Sequence, residues 1–289
     1  GLILIRHSFH MKKQTIHTVG PDESIRKFWV RHGQACVKIA QYFAEELGEP
    51  CVLNIWIPDG FKDVPGNRLE QEEDSVIPST KSLSIDYDKE KVFVSLESKV
   101  FGIGFESCTV GSSEFCINYA AKHGIMALMD NGHYHPTETV SDKISSMLLF
   151  HKKLGLHITR PVRWDSDHVV LFDDETKELA REIVDVMQWI GVLATDYFDA
   201  SINRVAAWII GMRNVQKAFL YAFLQPNEIM TRLQDEEQFT ELMVLQEELK
   251  FYPFEDIWNE FCRRNQVPAG GEWMSQIREY EETVLKKRM

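Results

Sequence analysis

The chain has 289 residues, and 44% of them are hydrophobic, which is ordinary for a globular protein with a sizeable core. The 32 lysines and arginines stand against 44 aspartates and glutamates, so the net charge is −12. A surface this acidic argues against nucleic acid or an anionic membrane as a partner. No apolar run approaches the roughly 20 residues that a membrane-spanning helix needs.

The five cysteines also bear on location. None of them shows the C-x-x-C spacing of a zinc site or redox centre, and their number is odd. We therefore expect reduced, mostly buried thiols in a reducing compartment, which points to a cytoplasmic protein. The cysteines are Cys36, Cys51, Cys108, Cys116 and Cys262.

Short apolar runs alternate with helical patterns along the chain. Helices are predicted from about residue 22 to 47 and over 113–122, 137–153, 174–187 and 200–222, with mostly helical sequence after Pro226. Six buried strands are predicted at 2–5, 52–57, 92–96, 125–129, from Leu154, and at 190–194. Strands that alternate with helices predict a parallel sheet.

Polar side chains gather where these strands end. In parallel α/β folds the ligands bind at the carboxyl ends of the strands, so we expect one shared metal or catalytic site there. One acid after a strand is unremarkable because helix N-caps prefer Asp, but four successive strands share the pattern. The residues concerned are Trp56 and Asp59, Glu97 and Lys99, Asp130 and His133, His157 with Asp165 and Asp167, and Asp196.

The segment after the fifth strand is the richest in ligand-type side chains. Asp165 and Asp167 are two residues apart, so in extended chain both carboxylates point to one side, and His157 lies at the far end of the same segment. Mixed histidine and carboxylate sets suit Mn²⁺ or Zn²⁺. The alternative is a polar loop whose aspartates cap a helix.

Six strands fall short of the eight that a closed barrel needs. We predict a TIM-type (β/α)8 barrel that lacks about two N-terminal βα units, with 1–222 as the barrel portion and 223–289 as a helical C-terminal extension. An open, doubly wound six-stranded sheet is the alternative. The acidic helices of the extension are a candidate subunit interface.

Several long motifs resemble the L-rhamnose isomerase family, from about Asp22 to the C-terminus. They are the segments 54–60, 97–104, 130–138, 160–168 and 198–204. The resemblance implies a metal-dependent (β/α)8 barrel that interconverts L-rhamnose and L-rhamnulose in rhamnose metabolism. It also implies a homotetramer with two divalent ions in each subunit, typically Mn²⁺, with Zn²⁺ or Co²⁺ as substitutes.

The resemblance also assigns roles to single residues. It implies one ion held by Glu97, Asp130, His157 and Asp196, and a second ion held by His133, Asp165 and Asp167. Substrate contacts would come from Trp56 as an apolar wall, from Lys99 beside the reacting end, and from His133. The implied catalytic residues are Lys99, Asp165 and Asp196. A hydride shift between the two sugar carbons is favoured over an enediol route with Asp196 as general base.

The chain departs from the family pattern in three places. The family's first two strands are absent, residues 1–18 follow the pattern poorly, and residues 185–195 diverge. Two rival functions are therefore kept. One is a barrel-type metal-dependent hydrolase, and the other is a truncated, inactive metal-binding remnant of the isomerase.

Overall fold

A computed structural model describes residues 2–6, 22–56, 84–98, 112–135, 137–162, 167–197, 199 and 201–288. The chain divides into two compact units. The first comprises Gly1–His168 and Val186–Tyr197, and the second comprises Val169–Asp185 and Phe198–Met289. The predicted domain boundary at residue 222 stays a prediction. Among the helices described, none is long and apolar enough to cross a membrane.

The first unit is built on a parallel sheet of six strands. The strands are β1 (Leu2–Arg6), β2 (Cys51–Trp56), β3 (Val92–Glu97), β4 (Met126–Asp130), β5 (Leu154–Ile158) and β6 (Ile190–Thr195). Each strand pairs with the next one along the chain, in the order β1-β2-β3-β4-β5-β6. A doubly wound sheet reverses its strand order at a switch point, whereas this order has no reversal. The six predicted strands and the incomplete barrel arrangement are therefore confirmed.

The connecting helices of the first unit cover one face of the sheet. Helix α1 (Glu23–Leu47) begins after the Asp22 cap and ends at Gly48, and α2 (Ser113–His123) ends at Gly124, both glycines in the left-handed conformation. Alternate residues of β2 and β3 pack against these two helices in one core. Their other faces carry Asn54, Ser95 and Glu97, all buried. The apolar residues of this core are Val37, Ala40, Leu53, Ile55, Val94, Leu96, Cys116 and Tyr119.

Helix α3 (Ser141–Leu148) is shorter than the predicted span of 137–153. Before it, the His135 side chain bonds both the Thr137 hydroxyl and the Thr137 backbone N–H, and Glu138 N–H donates to the His135 carbonyl. Side chains that satisfy nearby backbone groups in this way stabilise a turn over a helix. The apolar periodicity predicted a helix from residue 137, but because of this local turn the helix begins at Ser141.

The second unit is helical. It contains α4 (Asp174–Asp185), α5 (Arg204–Phe223), α6 (Asn227–Asp235), α7 (Phe239–Leu249), α8 (Phe254–Arg264) and α9 (Met274–Thr283). Helices α4 and α5 approach through small side chains, Ala180 against Ala218 and Ala222. Asn203 caps α5, so the helix begins later than the predicted residue 200, and its Nδ2 donates to Glu281 Oε1 at 2.9 Å. The prediction of helical sequence after Pro226 is confirmed.

The Gly155→Ala substitution tests how tightly the sheet is packed. A Cβ atom at residue 155 would lie 2.9 Å from Val192 Cγ1 and 3.1 Å from Leu128 Cγ. We expect the free energy of unfolding to fall by about 1–3 kcal/mol, because the buried neighbours must shift. Thermal or denaturant unfolding measures this loss. Gly271→Ala is the matched control, since no atom lies within 4 Å of its added Cβ, and an equal loss in both variants would contradict the packing argument.

Candidate metal centre

The ligand-type residues of the first unit meet because neighbouring strands end at the same edge of the sheet. Glu97 and Asp130 are the last residues of β3 and β4, and His157 is the penultimate residue of β5. In the pairing register Asp130 lies beside His157. Asp196 directly follows the last residue of β6. Parallel strands in this order place all four side chains at the carboxyl edge, as predicted.

One cluster joins Glu97, Asp130, His157 and Asp196, and each of these residues offers a ligand atom within 4.8 Å of the others. His157 Nδ1 is at the centre of the cluster. It lies 3.5 Å from Glu97 Oε1, 3.5 Å from Asp130 Oδ2 and 3.7 Å from Asp196 Oδ2. Three carboxylates around one imidazole make a site that suits a divalent cation.

Unsatisfied atoms in this cluster support the fit to a metal. Asp130 Oδ2 and both ring nitrogens of His157 are buried and have no hydrogen-bond partner among the described residues. Buried polar groups are almost always hydrogen-bonded, so several unpaired ones that face one another need an explanation. A bound cation would satisfy them, because it accepts the lone pairs of a carboxylate oxygen and of a neutral imidazole nitrogen.

Neighbouring side chains hold Glu97 in place. Asn54 Nδ2 donates to Glu97 Oε2, and Ser95 Oγ donates to Asn54 Oδ1 at 2.8 Å. The Cys116 thiol donates to the Glu97 carbonyl at 3.4 Å. Glu97 Oε1 therefore points to the histidines while Oε2 is anchored in the sheet. Such partners orient a metal ligand and contribute to affinity.

Backbone and side-chain bonds hold Asp130 and the start of the next loop. Gly132 N–H donates to Asp130 Oδ1 at 2.7 Å, which leaves Oδ2 for the cluster. Asn131 bonds both backbone groups of Thr159: its Nδ2 donates to the carbonyl at 2.9 Å, and its Oδ1 accepts from the N–H at 2.7 Å. This pair of bonds ties the end of β4 to the end of β5.

A second cluster joins Asp130, His133 and Asp167. His133 lies in a single 3₁₀ turn, Asn131–His133, that follows β4. Its Nδ1 lies 2.9 Å from the Ser98 carbonyl oxygen, which can only accept, so Nδ1 carries the hydrogen. His133 Nε2 lies 3.7 Å from Asp167 Oδ1, on the side where a cation would take its lone pair.

Comparison with known proteins identifies the family. The family model described as L-rhamnose isomerase matches residues 4–288. The chain belongs to the L-rhamnose isomerase family. An L-rhamnose isomerase of Pectobacterium atrosepticum is 48% identical over 269 residues, which are 93% of this chain and 64% of that protein. An L-rhamnose isomerase of Listeria monocytogenes is 43% identical over 282 residues, 97% of this chain and 67% of that protein.

The chain thus spans about two thirds of the length of the curated L-rhamnose isomerases it matches. Among solved structures, a D-psicose 3-epimerase from Clostridium cellulolyticum H10 aligns with a TM-score of 0.43 at 12% identity. That alignment covers 72% of this chain and 73% of the epimerase. The assignment of the barrel-type fold rests on the strand order and on the family, not on this alignment.

The pKa values in the two clusters show how strongly their charges interact. Burial disfavours a charged imidazole, but the carboxylates around His133 and His157 outweigh it and raise the pKa of each histidine to about 10. Burial raises the pKa of Asp130 to about 6 and also raises the pKa of Asp196. Burial acts in the same direction on Glu97, but the nearby imidazoles of His157 and His133 outweigh it and lower the pKa of Glu97. Protons on these groups would therefore compete with a bound cation.

Metal binding is therefore expected to release protons. With pKa values of about 10, His133 and His157 carry protons at neutral pH, whereas a metal ligand must be a neutral imidazole. Raising the pH removes the competing protons, so the apparent affinity for Mn²⁺ should increase between about pH 6 and pH 9. Calorimetric titration in two buffers of different ionisation enthalpy measures the protons released. An affinity that does not change over this range would contradict the expectation.

Some of the other predicted site residues lie outside the described part of the chain, and two lie within it. Lys99 and Asp165 lie outside the described residues, as does Asp59, so their roles stay predictions. Trp56 ends β2 next to Glu97 in the pairing register and is buried. Asp196 has a half-exposed side chain, unlike the buried Glu97.

The sequence reasoning assigned no role to two residues that shape the site, Asn54 and Asn131. An available signal was the position of Asn54 inside an otherwise apolar strand, where a buried amide requires partners. Asp130 was assigned to one metal cluster but contributes to both of those that the structure shows. Asp130 ends β4, so it lies beside His157 of β5 and directly before the turn that carries His133. This position explains its double role.

Proposed function

We propose that this chain carries the metal site of an L-rhamnose isomerase, an enzyme that interconverts L-rhamnose and L-rhamnulose. The observation that carries the proposal is the buried cluster of Glu97, Asp130, His157 and Asp196 with its unpaired ligand atoms. Membership in the family supplies the substrate class. The reaction moves one hydrogen between C1 and C2 and shifts protons on the attached oxygens.

Two divalent ions are proposed, Mn²⁺ in the first place, with Zn²⁺ or Co²⁺ as substitutes. Glu97, Asp130, His157 and Asp196 would hold one ion, and His133, Asp165 and Asp167 would hold the other. The cluster that joins His133 and Asp167 also includes Asp130, which supports neighbouring sites that share this carboxylate. Bound cations would polarise the sugar oxygens and stabilise the charge that develops on them.

The remaining roles belong to side chains around these ligands. Asp196 has a half-exposed side chain and a raised pKa, so it suits a group that exchanges a proton with the sugar. Lys99 would polarise the carbonyl at the reacting end, and His133 would contact the sugar. Trp56 would form an apolar wall beside Glu97. Direct transfer of hydrogen between the two carbons is the preferred route, with an enediol formed by Asp196 as base the alternative.

A cytoplasmic homotetramer is also proposed. The thiols of the four described cysteines are buried, as expected for a reducing compartment. Large apolar side chains are exposed on and beside the helices of the second unit, which supports a subunit interface there. Examples are Phe239, Met243 and Phe251.

A Mn²⁺ titration of the purified chain by calorimetry tests the proposal, followed by addition of L-rhamnose and detection of the ketose. Two ions per chain and formation of L-rhamnulose would support it. An absence of saturable binding would overturn it. Binding of metal without isomerisation would support the metal site but contradict the proposed isomerase activity of this chain. Hydrolysis of a sugar ester without isomerisation would favour the hydrolase.

A further inference from the structure

A cavity of about 500 Å³ lies in the first unit at the end of the sheet opposite the metal clusters. Its wall includes the first residues of β3 and β4, Val92 and Met126, and Lys153 immediately before β5. Glu97 and Asp130 lie at the other ends of the same strands. With about 3.3 Å per residue, the five steps from Val92 to Glu97 separate the two sites by roughly 17 Å.

The cavity is basic on a chain whose net charge is −12. Three lysines line it against one glutamate, Glu90, and two histidines add further polar groups. None of the three lysines forms an ion pair with a described residue. The lysines are Lys89, Lys152 and Lys153, and the histidines are His123 and His151.

His151 brings an unpaired buried nitrogen to the wall of this cavity. It is 6% exposed, and its Nε2 is buried without a hydrogen-bond partner among the described residues. Burial lowers the pKa of His151, because it favours the neutral imidazole over the charged form. A buried polar atom of this kind costs free energy unless a ligand or water satisfies it.

Aromatic rings complete the wall. Lys153 Nζ lies 4.1 Å from the centre of the Phe93 ring, which holds the ammonium at the cavity surface by a cation–π contact. Tyr87 and Phe150 also line the cavity. Aromatic faces beside cationic groups suit a ligand that combines a sugar-like body with an anionic group. The volume also exceeds what one inorganic ion fills and lies within the range of small-ligand sites.

We propose that this cavity binds a small phosphorylated ligand of sugar size, a phosphomonoester held by Lys89, Lys152 and Lys153 with His151 bonding its polar body. Lysine ammonium groups recognise phosphate as point charges. The site is separate from the metal clusters, and its occupation does not depend on the proposed isomerase activity. A ligand bound there stabilises the sheet from the end opposite the reacting sugar.

The test uses glucose 6-phosphate as the probe, glucose as its neutral counterpart and inorganic phosphate as the bare anion. The chain is first freed of metal with a chelator that is then removed, so that the metal clusters cannot capture phosphate. Calorimetry at constant ionic strength measures binding. We expect saturable binding of glucose 6-phosphate and at least about tenfold weaker binding of glucose and of inorganic phosphate.

The variant Lys152→Gln/Lys153→Gln removes two cavity charges, and Lys27→Gln/Lys38→Gln removes two exposed charges of α1, which contributes no residue to the cavity lining. We expect the first variant to weaken binding about tenfold or more and the second to change it less than about twofold. His151→Leu should weaken binding while the chain still unfolds cooperatively. Equal losses in both double variants, no binding, or equal affinity for glucose or inorganic phosphate would overturn the proposal. Because no metal is present, failure here is distinguishable from failure of the isomerase proposal.

Discussion

The Glu97→Gln variant is expected to bind Mn²⁺ at least about 100-fold more weakly than the unchanged chain and to lose the proposed isomerase activity. Glutamine keeps the size of the side chain and its link to Asn54, but it removes the negative charge that faces His157 at 3.5 Å. A cation in this buried cluster would lose one of its charged ligands. Calorimetry measures the affinity, and the increase in melting temperature on adding Mn²⁺ gives a second readout.

Glu46→Gln is the matched control for this variant. Glu46 is exposed on α1, in the same unit, and the substitution removes the same charge away from both clusters. Its Mn²⁺ affinity and activity should stay within about twofold of the unchanged chain, because exposed charges are screened over such distances. If Glu97→Gln bound Mn²⁺ as tightly as Glu46→Gln, the cluster around His157 would not be the metal site.

The Asn131→Ala variant is expected to lower the free energy of unfolding by about 2–4 kcal/mol. The side chain of Asn131 is buried and makes two hydrogen bonds to the backbone of Thr159, at 2.7 and 2.9 Å. Alanine leaves both Thr159 groups unpaired in the interior and opens a cavity. Denaturant unfolding of the metal-free chain measures the loss.

Asn118→Ala is the control for Asn131→Ala. Asn118 is exposed on α2, where its Nδ2 donates to the Glu114 carbonyl one turn earlier. Alanine favours helix, so the free energy of unfolding should change by less than about 0.5 kcal/mol. Mn²⁺ affinity gives a further distinction, since Asn131 adjoins Asp130 and only its loss should weaken metal binding. Similar stability of the two variants would contradict the role given to the Asn131 bonds.

Much of the fold followed from local patterns along the chain. The apolar runs near Leu53, Val94 and Leu128 predicted strands because residues buried on both faces read as continuous hydrophobic segments. The helices predicted to end near residues 47 and 122 are followed by Gly48 and Gly124, and both adopt the left-handed conformation that glycine tolerates. The start of α3 was placed too early, since the bonds that His135 makes to Thr137 are invisible in a hydrophobic pattern.

Part of the candidate site also followed from the sequence, and part of it depended on the tertiary structure. The sequence by itself determined that Glu97, Asp130, His157 and Asp196 follow successive strands and share the carboxyl edge of one sheet, because parallel strands in sequential order align their ends. Only the tertiary structure decided that Asp130 contributes to two clusters and that Asn54 anchors Glu97. These facts depend on register between strands and on side-chain rotamers, which are set by packing among residues far apart in the chain. The basic cavity beneath β3 and β4 has the same origin, since its lysines come from separate loops that only the folded sheet brings together.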